Sequence, residues 1–418
     1  MLLNAMDLVG RFRFSGITSD NTGNVRVARQ LVCQTVKTII PMSDVCHHLN
    51  LLCKDIAKLP MFKNMITQLR SIVTYFRKST QASDALQQAR LQRGITRGIE
   101  GIGKTRFATI CAASISVQRC LPAIRDIVIS GAVKFPGKKG ELASLFKTGS
   151  ARGMTFELEL NRFINIEGPI AKAIICLESS QTNPADVYKY WLAICGCIKE
   201  IFEDPSTGFS VEEMGQIYAI VNARFREQLR DGPADCYLAA LCLDPRYVRS
   251  AILHNPLSLK IKLPHVSDAS KKIDSTQAAA THDDAVLKSP TYQRVVKYLK
   301  TVLEAEFKSQ HNPILKGKMA PFVREAFIRQ FEHYVKGQYP FDTPLEEGQD
   351  TLSYWNHLTK ITEGSVLACI AQKLYSIKPS SMPEERTMSV FTKMNTPARN
   401  RQQVRTLVDM TQIRQWHM

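Results

Sequence analysis

Long hydrophobic runs are missing from these 418 residues. No stretch approaches the roughly 18 uninterrupted apolar residues that cross a bilayer as a helix, so no membrane partner is expected. The opening MLLNAMDLVGRFRF has no basic leading region and reaches Asp7 and Arg11 early, which does not read as a signal peptide and points to work inside the cell. Cys-x-x-Cys spacing is absent too. The 11 cysteines are odd in number, and the nearest pairing, Cys195-Gly196-Cys197, lies in a helical apolar run where small buried hydrophobes are a better reading than metal ligands. Acids are scarce: 38 Asp and Glu against 55 Lys and Arg leave a net charge of +17, an excess that attracts polyanions and nucleic acid above all.

What is present is the composition of a folded chain, with 44% hydrophobic and 22% charged residues, long enough for two or three domains. Residues 1 to about 60 mix strand-like and helical patterns. Phe12, Phe14 and Ile17 precede the turn-rich TSDNTGN, the pattern of a buried strand running into a loop. Val25, Ala28, Val32, Val36 and Ile39 recur at helical spacing, a short apolar run from Thr38 to Pro41 follows, and Leu49, Leu52, Ile56 and Leu59 mark another helix before Pro60. The predicted order is strand, helix, short strand, helix. From Met61 onward the periodicity is helical, first at Met65, Leu69, Ile72 and Phe76. After a polar stretch, Lys78 to Arg97, it returns over 108–128, 157–177, 187–202, 214–229, 292–307 and 322–334. Polar segments at 263–289 and 337–350 read as loops.

Gly98-Ile-Glu-Gly-Ile-Gly103-Lys104-Thr105 satisfies the phosphate-loop expression G-x-x-x-x-G-K-[ST]. That motif needs a buried strand before it, whereas SDALQQARLQRGITR is polar and helix-prone, so the match reads as chance and no nucleotide cofactor is expected. Ile17-Thr18-Ser19-Asp20-Asn21 places a carboxylate at the mouth of a strand. Cys46-His47-His48-Leu49-Asn50 opens a helix, and Ser380-Ser381-Met382-Pro383-Glu384-Glu385-Arg386 suits a helix N-terminus.

Taken in order, these blocks resemble the hAT transposases. ITSDNTGN is similar to the strand carrying that family's second catalytic Asp, here Asp20. CHHLNLLCKDI resembles the following C-x-x-H segment, with Cys46 and His48 the nearest matches. Lys104-Thr105-Arg106-Phe107 resembles the T-R-W block, with phenylalanine in place of tryptophan, and Cys242-Leu-Asp-Pro-Arg-Tyr247 resembles the L-D-P-R-Y block of a helical insertion. Tyr354-Trp355, SSMPEERTMS and PARNR look like the C-terminal dimerisation segment, where the glutamate would be Glu385.

The resemblance implies an α/β but predominantly helical architecture. A partial ribonuclease-H-like sheet domain (1–105) would be interrupted by an all-α insertion (106–336, with 263–289 a flexible loop) and completed by a helical dimerisation region (337–418). Catalysis in such a fold uses three carboxylates and two Mg2+ ions to attack a DNA phosphodiester. Asp20 and Glu385 would be the catalytic and metal-binding residues present. The family's first Asp lies on an opening strand upstream, and this chain begins only about 20 residues before Asp20, so the triad is expected to be incomplete. Arg106, Arg386, Arg399 and Arg401 would contact phosphate, and Phe107 would stack on a base.

The predicted function is a dimerising, transposase-derived DNA-binding protein, nuclear by resemblance and defective in strand cleavage. Alternatives are an active Mg2+-dependent transposase and a helical scaffold that never meets DNA. Trp355, Leu358, Val366, Ile370 and Leu374 lie on periodic apolar positions that could pack against a second copy or against the chain's own core.

Overall fold

Two short parallel strands and one helix between them set the position of everything that follows. A computed structural model describes residues 2–103, 106–133, 135, 140–147, 149–230, 234–250, 253, 287–395 and 403–416. Helix α1 (Leu2–Val9) is followed by strand β1 (Gly16–Ser19), helix α2 (Gly23–Thr35) and strand β2 (Ile40–Ser43). The strands pair in parallel with Gly16 opposite Ile40 and Ser19 opposite Ser43, and among the described residues they form a sheet of two. Parallel strands need a crossover, and α2 supplies it. Met6, Val32 and Ile39 form a small buried cluster over the sheet, with Phe14 and Ile17 packed against it. Phe12, expected to lead into a strand, is instead in a 3-10 turn and largely exposed, so its hydrophobicity marks no core position.

The remainder is helical, and the fold as a whole is predominantly so. Helix α3 (Val45–Ala57) leaves β2 directly and buries Val45, Leu49, Leu52 and Ile56 on one face. Pro60 fills the first turn of α4 (Pro60–Lys78), where its missing N–H costs nothing, and Met65, Leu69, Ile72 and Phe76 are all buried as their spacing predicts. Within the polar stretch lies α5 (Thr80–Gln92), which buries only Ala82, Leu86 and Ala89. The longer helices are α6 (Ala108–Ile129), α8 (Ala151–Leu177), α9 (Pro184–Glu203) and α10 (Val211–Phe225), with a four-residue α7 (Gly140–Ala143) between the first two. After α11 (Ala234–Cys242) come α12 (Pro290–Ser309), α13 (Ala320–Lys336), α14 (Thr351–Leu358), α15 (Ser365–Tyr375), α16 (Met382–Met394) and α17 (Val404–Trp416). Most of the loop expected at 263–289 lies outside the described residues.

A single buried cluster runs from Ile40 to Met382 and takes residues from each of helices α3 to α15. Its C-terminal part is fastened at one point. The last carbonyls of α11 have no partner within their own helix. Tyr375 Oη donates to Ala240 O over 2.6 Å, Tyr334 Oη to Cys242 O over 3.0 Å, and Trp355 Nε1 to Leu243 O over 2.9 Å. Asp244, fully buried, then takes two guanidinium bonds from Arg246 at 2.8 Å. The L-D-P-R-Y block is therefore the joint between α11 and helices α13 to α15. Trp355, Leu358, Val366, Ile370 and Leu374 are each 2% exposed or less, so that apolar face is covered by the chain's own core and offers nothing to a second copy.

Candidate functional site

Chain segments more than 330 residues apart meet at the C-terminal ends of β1 and β2. Asp44, one residue beyond β2, is 2% exposed. Its Oδ1 accepts from His47 N–H at 2.8 Å, capping α3, while its Oδ2 accepts the Ser381 N–H at 2.6 Å and the Ser381 hydroxyl. Nearby, Val45 N–H donates to Pro379 O at 3.0 Å and Thr18 Oγ1 donates to Lys378 O. The strand leading to Asp20 and the segment leading to Glu385 are thus bonded to each other. Glu385 is exposed, with Oε1 3.4 Å from the Ser381 hydroxyl oxygen whose single proton goes to Asp44.

Asp20 lies just past the Ser19–Ser43 pair. Its Oδ1 accepts from the Thr22 hydroxyl at 2.9 Å and the Thr22 N–H at 3.2 Å, a local turn that starts α2. Arg29, 7% exposed, reaches back from α2 to donate to Ser19 O and Ser19 Oγ at 2.9 and 2.7 Å and to Asn21 Oδ1 at 2.8 Å. Burial lowers its pKa, yet a guanidinium stays charged, so a fixed positive charge backs the two strand ends.

Arg106 and Phe107 are positioned by Asn50. The first N–H groups of α6 are orphans, and Asn50 Oδ1 accepts from Phe107 N at 2.6 Å and Ala108 N at 3.3 Å, although it belongs to α3. Lys54 Nζ sits 5.5 Å from the centre of the Phe107 ring. Arg106 then lines a cavity of about 530 Å³ together with Cys46, Asn50, Lys172, Glu178 and Glu385, over a floor of small and branched apolar side chains from α6 and α8.

Cys46 is a buried thiol, not a thiolate: burial pushes its pKa up to about 12, partly offset by the Ser380 hydroxyl 3.3 Å away. His48 is also buried, and burial lowers its pKa. Its Nε2 lies 2.8 Å from Arg224 O, which fixes the Nε2–H form of a neutral ring holding α3 to α10. Arg386 is paired with Glu178. Arg399 and Arg401, and Lys104 and Thr105 of the phosphate-loop match, lie outside the described residues.

Cys46, Arg106 and Glu385 are therefore gathered at one cavity, Asp20 is at the neighbouring strand end, and His48 is turned into the core. Sequence reasoning passed over Asp44 and Asn50. Among the described residues no three His, Cys, Asp or Glu side chains converge where an ion could sit. Asp20 spends Oδ1 on Thr22 and Asp44 is occupied by three donors. This donor set does not fit a two-magnesium centre, and no metal-dependent step is derived from it. No helix among the described residues is long and apolar enough to cross a membrane. Compared with known proteins, the chain matches no family model and no curated sequence.

Proposed function

We propose that this chain is a DNA-binding protein of the hAT transposase type, with a partial ribonuclease-H-like core, that does not cut DNA strands. One observation carries the reading. Four of the blocks that resemble that family, those around Asp20, Cys46, Arg106 and Glu385, lie at one end of a small parallel sheet and the cavity beside it, while the blocks around Asp244 and Trp355 meet each other at the end of α11. The net charge of +17 supports a polyanionic partner, and the exposed guanidinium of Arg106 at the cavity mouth supplies a phosphate contact. Asp20 Oδ1 is already taken by Thr22 and Asp44 by three donors, which supports binding without cleavage. Homodimerisation falls to surfaces other than the covered Trp355–Leu374 face. α16 and α17, which pack on each other and expose Met388, Val404 and Ile413, are the proposed contact. A nuclear location follows from the same resemblance.

The test is a titration of labelled duplex DNA at several salt concentrations. Affinity should fall steeply with salt as phosphate contacts release counterions. A protein that leaves the duplex free at low salt is the helical scaffold instead. Nicking of DNA that requires Mg2+ and disappears in both Asp20→Ala and Glu385→Ala would establish the active transposase.

A further inference from the structure

Between Ile56 and Ile99 the chain carries one acid, Asp84, against eight cations: Lys58, Lys63, Arg70, Arg77, Lys78, Arg90, Arg93 and Arg97. This stretch contributes +7 of the net +17. Helix α4 has no acid at all. Its apolar stripe faces the core, which leaves Lys63, Thr67, Arg70, Thr74 and Arg77 in one exposed row, spaced alternately four and three residues apart. From Lys63 to Arg77 the row rises about 21 Å, the length of about six base pairs at 3.4 Å each.

Not all eight cations are free. Arg93 is paired with Asp126, and Arg90 donates to the carbonyls of Ile95 and Thr96. Lys63, Arg70, Arg77 and Lys78 have no carboxylate partner among the described residues. At the C-terminal end of the row the helix meets the glycine-containing loop that mimics a phosphate loop. That loop follows helix α5 rather than a strand, so its nucleotide reading fails on context. Its glycine has another use. A Cβ on Gly101 would come within 2.5 Å of Arg77 Nη1, so the missing side chain lets the loop close over the guanidinium. Arg70, Val73, Thr74, Arg77, Lys78 and Ile102 then wall a second cavity of about 500 Å³. The loop's own acid, Glu100, lies 3.7 Å from Arg119 and so is drawn toward another cation.

We infer that the exposed row of α4 and the cavity under Gly101 form a binding groove for the phosphodiester backbone of DNA. The cations and the Thr74 hydroxyl would take phosphate oxygens, the Thr67 hydroxyl being already given to Lys63 O, and backbone contacts of this kind hold DNA without regard to sequence. The inference rests on the DNA-binding reading and names a surface outside the sheet-end cavity.

The experiment is fluorescence anisotropy of a 5′-fluorescein 25-base-pair duplex of arbitrary sequence with the full chain, between 50 and 300 mM NaCl. Three proteins are compared: wild type, R70Q/R77Q/K78Q, and a control that removes three exposed cations elsewhere, K308Q/K316Q/R324Q. The groove variant should lose at least tenfold in affinity at low salt, and its slope of log affinity against log salt should shrink by about 2.7, three phosphate contacts at 0.9 each. The control should lose little beyond the loss of general charge, and R70K/R77K/K78R should stay within about threefold of wild type. Matching far-ultraviolet circular dichroism shows that each variant folds. If wild type binds and the groove variant behaves like the control, the groove is wrong and the DNA-binding reading stands. If wild type ignores DNA, or is retained only on anionic lipid vesicles, both fall.

Discussion

The Oδ2 of Asp44 accepts the backbone N–H of Ser381 over 2.6 Å, joining positions 337 residues apart. Asp44 also caps α3 through Oδ1. One carboxylate therefore ends β2, starts α3 and anchors the entry to α16, where Glu385 lies. Asp44→Ala removes the cap and leaves the Ser381 donors facing a nearly dry site. It should cost about 2–4 kcal/mol in denaturant unfolding. Ser381→Ala, which keeps the backbone bond, should cost about 1 kcal/mol. Equal losses in the two variants would show that the hydroxyl, not the backbone bond and cap, does the anchoring.

Asn50 gives a separable prediction, because its side chain caps a helix to which it does not belong. Asn50→Ala should lower stability by about 1–2 kcal/mol. It should also weaken duplex binding severalfold through a loosened Arg106, with the protein still folded at 25 °C. Asn50→Asp keeps the acceptor and adds a negative charge near the positive end of α6, so it should retain stability while weakening DNA binding through charge. Undiminished DNA binding in both variants would remove Arg106 from the interface.

The joint at the end of α11 predicts a stability effect confined to polar atoms. Tyr375→Phe deletes only the hydroxyl that donates to Ala240 O, leaving ring packing intact and a carbonyl without its donor. The cost should be about 1–2 kcal/mol, read as a lower urea midpoint at an unchanged m-value, and similar for Tyr334→Phe. A change in m-value instead would mean that the C-terminal helices separate from the rest before global unfolding.

Much of the helical framework was legible because helix periodicity repeats over many turns. Met65, Leu69, Ile72 and Phe76 fall on one helical face by their spacing, and all are buried. Helix α5 falls in the segment that is helix-prone by sequence, but its buried face shows no periodicity because its positions are Ala82, Leu86 and Ala89, two of them too small to stand out from a polar background. Four-residue strands carry barely two alternations, so Phe12 was drawn into a strand that begins only at Gly16. The apolar positions from Trp355 to Leu374 were visible, but periodicity says that a face is covered and not by whom; here the chain covers it itself. Asp44 and Asn50 carry no local signal beyond a polar residue near a helix, because their partners at Ser381 and Phe107 become neighbours only in the folded chain.

Glu167, on α8, is 1% exposed, and among the described residues only the weak donor Cys53 reaches its carboxylate. Burial pushes its pKa up to about 8, with the Cys53 thiol pulling slightly the other way. At neutral pH the folded chain therefore holds it protonated, whereas the unfolded chain releases the proton near pH 4.5. Below that value both states are protonated and there is no penalty. As pH rises from about 4.5 to 8 the unfolded state binds fewer protons than the folded one, so stability falls, and the full loss is reached once Glu167 itself ionises. The total is of the order of several kcal/mol, since each pH unit between the two pKa values is worth about 1.36 kcal/mol. Glu167→Gln, which cannot ionise, should abolish this slope and melt several degrees above wild type at pH 9, while matching or trailing it at pH 4.5, where wild type carries no charge there. Parallel melting curves for the two proteins from pH 5 to pH 9 would mean that Glu167 is ionised in the fold and finds a partner among groups not yet assigned to it.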